Sequence, residues 1–376
     1  MAHTRVRPIF LLVLLVCLGA GLLIADSGAN HQLKQAFPIS LGTSGGNVND
    51  ISRAFCCSGT LGSLVTKGGT NYILSNNHVL ARVDQAVVGE NISQPGLVDV
   101  GCQVSKTNTV AHFSQAAPLG SSNVDAALAA VVSGDVTSTG NILDVGVPAS
   151  TTATPTVGRG VAKSGRTTGL TCSTIGSVNT NVSVQYQKGC NSGKKFVITY
   201  TNQVVINSSS FSAGGDSGSL IVTSGTAQPA ALLFAGSSTT TIGNPIQDVT
   251  ANLGVNFVGG ATHSVNCTGA AGATSASSGP QGASLPDREV DRATAVKNQY
   301  ASGLMSDPAV QGVGVGAHPQ NPGEAVLVVY LETGRALARP IPSQIDGVRT
   351  VVVRTDRFRA FGWNEKQQER RSCSAR

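Results

Sequence analysis

The chain is poor in metal-ligand spacings, in aromatic residues and in charge. It contains no Cys-x-x-Cys pair, and His31, His112, His263 and His318 stand singly, so no metal site and no cofactor is expected. Aromatic residues make up only 4% of the chain and do not alternate with basic ones. The net charge of +6 therefore reads as solvated surface, and no nucleic-acid partner is expected. No internal repeat is present. Long apolar runs are confined to Ile9–Ala25, which follows Arg5 and Arg7 and precedes the small residues Ser27-Gly28-Ala29. This is the pattern of an export signal over residues 1–29. At 17 residues the run also just reaches spanning length, so an uncleaved membrane anchor is the other reading. Val16 before Cys17 argues against lipid attachment there.

What is present fits an exported chain, secreted or periplasmic. Beyond the signal lie Cys56, Cys57, Cys102, Cys172, Cys190, Cys267 and Cys373, in a setting where disulfides persist. The first six fall in one region and admit about 15 pairings, of which Cys172–Cys190, across a hairpin, is the expected bridge.

Charge density divides the chain. Residues 31–284 carry 20 charged side chains in 254 positions, and residues 285–376 carry 23 in 92. Between them the Gly/Ser/Ala-rich stretch 268–284 cannot bury apolar surface and reads as a linker. The expected organisation is a main domain over 30–267, a small α+β domain over 285–364 and a basic, disordered tail over 365–376. The main domain has short apolar runs punctuated by turn residues, among them GTLGSLVTK, TNYILSN, VDAALAAVV, KKFVITY, GSLIVT and PAALLFAGS. These predict an all-β sandwich or barrel pair, with Gly68-Gly69 turning the first run into the second. One helix is expected in NPIQDVTANLGV, with Asn244 as its cap and Pro245 at its first helical position. In the second domain, Val290, Ala293, Val296, Tyr300 and Leu304 recur at helical spacing, and three strands come after them: VQGVGVG, AVLVVYLE and VRTVVVRT.

The stretch FSAGGDSGSL, residues 211–220, is glycine-rich in a chain that holds 45 glycines, so by itself it proves little. Its context gives it weight. A serine becomes a nucleophile when a base takes its proton, an acid orients the base and donors receive the developing oxyanion. Ser217 in GGDSGS, His78 at the strand end in LSNNHVLA and Asp125 in SNVDAALA supply the first three. Asp125 is a lone carboxylate in an apolar strand, which is costly without a partner such as an imidazole. The backbone N–H groups of Gly215 and Ser217 are the expected oxyanion donors. The order His, Asp, Ser excludes the α/β-hydrolase arrangement, in which the serine comes first.

On LSNNHVLA, NVDAALA, SGRTTGLTC, GGDSGSL and LLFAGS, residues 55–260 resemble the chymotrypsin-like serine proteases, particularly their secreted bacterial branch. The resemblance implies a double six-stranded β-barrel with the site in the cleft between the barrels, and hydrolysis of peptide bonds through an acyl-enzyme. It also implies a structural partner for Asp216. No Arg-Ile-Val-Gly-Gly activation sequence precedes the domain, so Lys163 is expected to pair with Asp216, with Arg166 as the alternative. Phe211, six residues before Ser217, is expected at the floor of the specificity pocket, and Phe234, Ala235 and Gly236 along its wall. With no acid there, the expected preference is apolar or small rather than basic. Protein or peptide is the expected substrate, the alternatives being a protease-like binding scaffold or hydrolysis of non-peptide esters. The second domain more loosely resembles a small unit attached to some bacterial trypsin-like proteins. It is read as a packing or substrate-docking module, or else as a regulator that occupies the cleft.

Overall fold

The computed structural model describes residues 31–53, 55–271 and 285–360. The stretches expected to be the export signal and the basic tail, and most of the expected linker, lie outside these.

The first part contains β1 (Thr43–Asn47), β2 (Gly59–Leu61), β3 (Ser63–Lys67), β4 (Thr70–Ser75), β5 (Asn91–Gln94), β6 (Asn108–Ala116) and β7 (Ala127–Val131). Gly68 and Gly69, at φ +57° and +81°, make the turn between β3 and β4 with a backbone that L side chains rarely adopt. β2 and β3 are one strand bent at Gly62. β1 pairs with β2 and β5, β5 with β6, β6 with β7, β7 with β4 and β4 with β3, so the strands close into a barrel.

β8 (Gly160–Gly165), β9 (Gly169–Thr174), β10 (Ser177–Gln187), β11 (Lys195–Asn207), β12 (Leu220–Thr223), β13 (Pro229–Gly236) and β14 (Thr240–Pro245) form the second part. β9 runs on into β10 through Ile175–Gly176. β8 pairs with β9 and β12, β12 with β13, β13 with β14, β14 with β11 and β11 with β10. With each bent strand counted once, both barrels have six antiparallel strands in the cyclic order 1-2-3-6-5-4. This is the expected double barrel. Leu64, Ile73, Leu74 and Leu128 are fully buried in the first barrel, and Ile221 and Leu233 in the second. The short strand β15 (Asn256–Phe257) returns to pair with β3.

Three helices stand out. α1 (Asn77–Leu80) follows β4, α2 (Ile246–Leu253) follows β14, and α3 (Asp287–Met305) opens the C-terminal part. The expected Asn244 cap is absent: Asn244 belongs to β14, Pro245 takes the cap position, and no side-chain cap bond forms. The stripe expected on α3 is also shifted. Ala293, Lys297 and Ala301, one turn apart, are its buried centre, while Val290, Val296 and Leu304 flank it and Tyr300 reaches outward to Asp346.

β16 (Val310–His318), β17 (Asn321–Glu332), β18 (Gln344–Ile345), β19 (Val348–Thr355) and β20 (Arg359–Ala360) complete the chain. α3 packs on β16 and β17, an α+β arrangement. This unit is joined edge to edge with the second barrel, because β16 pairs antiparallel with β10 from Ser177↔Gly316 to Val182↔Gly312.

The disulfide expected from the sequence is not formed. Cys172 on β9 pairs with Cys267, Cys190 at the tip of the β10–β11 hairpin pairs with Cys57, and Cys56 pairs with Cys102. Cys172 points into the core of the barrels, whereas the hairpin carries Cys190 to the cleft, so the hairpin tip is tied to the first barrel.

Candidate active site

The site forms where α1, the turn before β7, the loop before β12 and the β10–β11 hairpin meet. His78 lies on α1 rather than on a strand end, and Asp125 lies just ahead of β7 rather than within it. His78 Nδ1 is 2.6 Å from Asp125 Oδ2, and the His78 backbone N–H donates to Asp125 Oδ1 at 3.2 Å. Asp125 is fully buried, and its main chain is clamped on both sides. Asn76 Nδ2 donates to its carbonyl at 2.7 Å, and its N–H donates to Asn244 Oδ1 at 2.9 Å. Asn244, lost as a helix cap, therefore serves the site.

A phenol completes the carboxylate's shell. Tyr186 on β10 donates to Asp125 Oδ2 at 2.8 Å and lies 2.8 Å from Tyr200 Oη. Burial, with the Asp125 carboxylate next in effect, holds the Tyr186 phenol well above its ordinary pKa, so it remains a donor. Two hydrogen bonds from side chains to Asp125 Oδ2 fix the imidazole with Nδ1 toward the acid, leaving Nε2 buried and without a partner among the described residues.

Ser217 is buried, and its Oγ lies 3.4 Å from the Phe234 carbonyl, to which it donates. Its loop is held by the first barrel: Thr60 N–H donates to Ser217 O at 2.8 Å, and Thr60 Oγ1 to Gly215 O at 2.9 Å. A Cβ placed on Gly59 would meet the Val79 side chain at 2.5 Å and Ser217 O at 2.9 Å. The residue after His78 and the serine loop thus converge on one point. Gly218, at φ +94°, has Ser75 Oγ and Thr60 O where a Cβ would stand. The N–H groups of Gly215 and Ser217 donate to no described group.

Asp216, between them, anchors the loop. Its carboxylate accepts from the N–H groups of Thr167 at 2.8 Å, Thr168 at 3.2 Å and Ala213 at 2.9 Å, and from Thr168 Oγ1 at 2.8 Å. Lys163 Nζ lies 3.7 Å from Asp216 Oδ2, donates to Gly169 O at 2.8 Å and also contacts Thr168 Oγ1. Both side chains are fully buried; burial lowers the Lys163 pKa against the opposing pull of Asp216. Arg166 pairs instead with Asp99, at 2.5 Å.

Phe211 is a buried residue of the second barrel. Its ring is fully buried in a core cluster with Ile175, Val204 and Leu233 and does not line the cleft cavity. Phe234 likewise turns its ring inward, 5.0 Å from Tyr200, and presents its carbonyl to Ser217. Ala235 and Gly236 continue the same strand edge.

The cleft beside His78 is lined by Asp50, Ser58, Val79, Gln185, Tyr186, Lys195 and the Cys57–Cys190 bridge, among others. Asp50 is the sole carboxyl in that lining, and burial pushes its pKa up to about 7. Asp50, Cys57 and Cys190 also form a cluster of metal-ligand type, but both sulfurs are committed to the disulfide and offer no thiolate.

No protein-family model and no curated protein matches the chain. Among solved structures it is similar to a glutamic-acid-specific serine protease that uses a histidine triad in substrate binding, with 22% identity and a TM-score of 0.42 over 58% of this chain and 100% of that one. It is similar to Thermobifida fusca Protease A at 22% identity and a TM-score of 0.40, over 59% and 99% of the two chains. For Nocardiopsis protease the values are 17%, 0.38, 54% and 93%.

Proposed function

We propose that the protein is a secreted serine endopeptidase. The observation that carries this reading is the buried Asp125–His78 pair, which leaves Nε2 unpartnered where the Ser217 loop converges. His78 Nε2 takes the Ser217 proton as Oγ swings from the Phe234 carbonyl to attack a peptide carbonyl. The N–H groups of Gly215 and Ser217 receive the oxyanion. The C–N bond then breaks, His78 protonates the leaving amine, and water hydrolyses the acyl-enzyme by the same route. Asp125 keeps the imidazole in its working tautomer.

The edge of β13 at Ala235–Gly236 serves as the seat for an extended substrate backbone. A preference for apolar or small residues is supported by the absence of any carboxyl in the described cleft lining other than Asp50, which burial keeps largely protonated below neutral pH. The Lys163–Asp216 pair stands inside the barrel, so the loop is held without an activation cleavage. The three disulfides among the described residues and the apolar N-terminal segment support export.

The test is labelling of the folded protein by a fluorophosphonate, with loss of the label in Ser217→Ala. A folded wild-type protein that takes no label would refute the assignment.

A further inference from the structure

The proposed substrate edge is already occupied. β20 lies antiparallel along β13, with Ala360 opposite Ala235 and Arg359 opposite Gly236. On its other flank Arg359 lies opposite Gln185 of β10, in parallel, and Gln185 N–H donates to Phe358 O at 2.9 Å. The two-residue strand therefore fills the slot between β13 and the β10 hairpin, and both of its residues line the cavity that contains His78.

The segment leading into it is firmly held. Phe358 is fully buried, 5.7 Å from the Tyr330 ring, and its N–H donates to Gln311 Oε1 at 2.7 Å. Gln311 Nε2 donates to Asp356 O at 2.9 Å, Ser238 Oγ to Asp356 Oδ2 at 2.5 Å, and Thr239 Oγ1 lies 2.8 Å from Thr355 Oγ1. The turn after β13 and strand β16 thus aim the C-terminal segment along the substrate edge.

The pairing register fixes the position of the next residue. Residues 359 and 360 stand opposite 236 and 235, so residue 361 of an extended chain in this register stands opposite Phe234. The Phe234 carbonyl is the one that holds Ser217 Oγ. The next residues in the sequence are Phe361 and Gly362, both outside the described residues. We propose that the chain is its own first substrate and is cut between Phe361 and Gly362. This rests on the endopeptidase reading above and specifies its substrate class: extended peptides with an aromatic residue at the attacked carbonyl, preceded by a small one.

In this step Ser217 Oγ bonds to the Phe361 carbonyl carbon while His78 takes its proton. The Phe361–Gly362 bond breaks, the Gly362 amine leaves with that proton, and water then releases the Phe361 carboxylate and restores Ser217. The products are residues 362–376, which carry Cys373, and a chain ending in Arg-Ala-Phe. The new terminus remains tethered in the cleft, where an intramolecular product competes with other peptides at an effective concentration on the order of millimolar.

Intact-mass measurement of purified wild type and Ser217→Ala tests the cut. The expected result is a wild type ending at Phe361 and a Ser217→Ala chain that keeps Arg376. A fluorophosphonate-reactive wild type that keeps Arg376, or ends elsewhere, overturns the inference while leaving the endopeptidase reading intact; so does loss of residues 362–376 from both proteins. An unreactive wild type sinks the endopeptidase reading instead. Gly362→Pro, which alters the leaving group and none of the catalytic side chains, is expected to keep Arg376 while still taking the label, and loss of residues 362–376 from this variant argues against the cut. A chain ending at Phe358, which keeps the buried anchor, is expected to cleave the synthetic peptide RFRAFGWN with a KM about tenfold or more below that of the processed protein. Equal KM values would overturn the tethered-product part.

Discussion

Tyr186 Oη donates to Asp125 Oδ2 at 2.8 Å, on the same oxygen that faces His78 Nδ1. The carboxylate that orients the candidate base is thus itself oriented by a phenol 61 residues further along the chain, on the hairpin that Cys57–Cys190 ties to the first barrel. Removing the hydroxyl leaves the carboxylate with one side-chain donor fewer and the ring packing unchanged. Tyr186→Phe is expected to lower kcat by about 10- to 100-fold, since a hydrogen bond to a charged group is worth about 1.5–3 kcal/mol. KM changes little. Steady-state kinetics across pH would check this; a variant with unchanged kcat would show that the phenol only fills space.

The Lys163–Asp216 pair lies inside the second barrel, away from solvent. Lys163→Met leaves Asp216 with its three backbone donors but without the buried cation. The expected loss of stability is about 3–5 kcal/mol, the usual consequence of removing one member of a buried pair. Urea unfolding at neutral pH measures it, and a loss under about 1 kcal/mol would mean that the backbone donors and the Thr168 hydroxyl satisfy the carboxylate without the cation.

Two glycines with positive φ should respond very differently to alanine. Gly68→Ala, at φ +57° with open space around it, costs about 1–2 kcal/mol in backbone strain. Gly218→Ala adds a collision with the Thr60 carbonyl, 2.3 Å from the new Cβ, and should cost about twice as much or more, with loss of fluorophosphonate reactivity. Thermal unfolding of the two variants side by side supplies the comparison.

Asp50 sets a pH dependence. Its folded pKa is about 7 against an ordinary value of 3.8, so between these limits the folded state holds a proton that the unfolded chain has released. Its contribution to stability is therefore fully present below pH 3.8 and is lost as pH rises to about 7. Asp50→Asn removes this loss: at pH 8 the variant is expected to be more stable than wild type by an amount on the order of 3–4 kcal/mol, with the difference vanishing near pH 4. Denaturant midpoints at the two pH values decide it, and equal differences at both would contradict a shifted Asp50.

The strands of both barrels could be read from local pattern because turn glycines and short apolar runs are local properties, and the partnership of His78 with Asp125 was legible from a lone carboxylate in an apolar run and from the family resemblance. What escaped depended on long-range geometry. Cys172 and Cys190 flank one hairpin in sequence, yet one faces the core and the other the cleft. Tyr186 looks like one more alternating strand residue until the hairpin folds over Asp125. Asn244 carried a helix-cap signature, but β14 extends through it and its amide is taken by Asp125 and Gln203. Arg359–Ala360 is too short a strand for any periodicity to reveal.

β10 has a neighbour along each edge, β11 on one side and β16 on the other. Gly314 of β16 has no room for a side chain against Thr180, whose Oγ1 would stand 2.2 Å from a Cβ there. The second barrel and the C-terminal unit therefore share one hydrogen-bonded sheet instead of abutting as separate bodies. Prying them apart would bare two strand edges at once, each a template for pairing with another copy of the chain. The C-terminal unit accordingly works as a shield for the sheet as much as an appendage to it, and a protein cut back to residue 271 is expected to trade solubility for its smaller size.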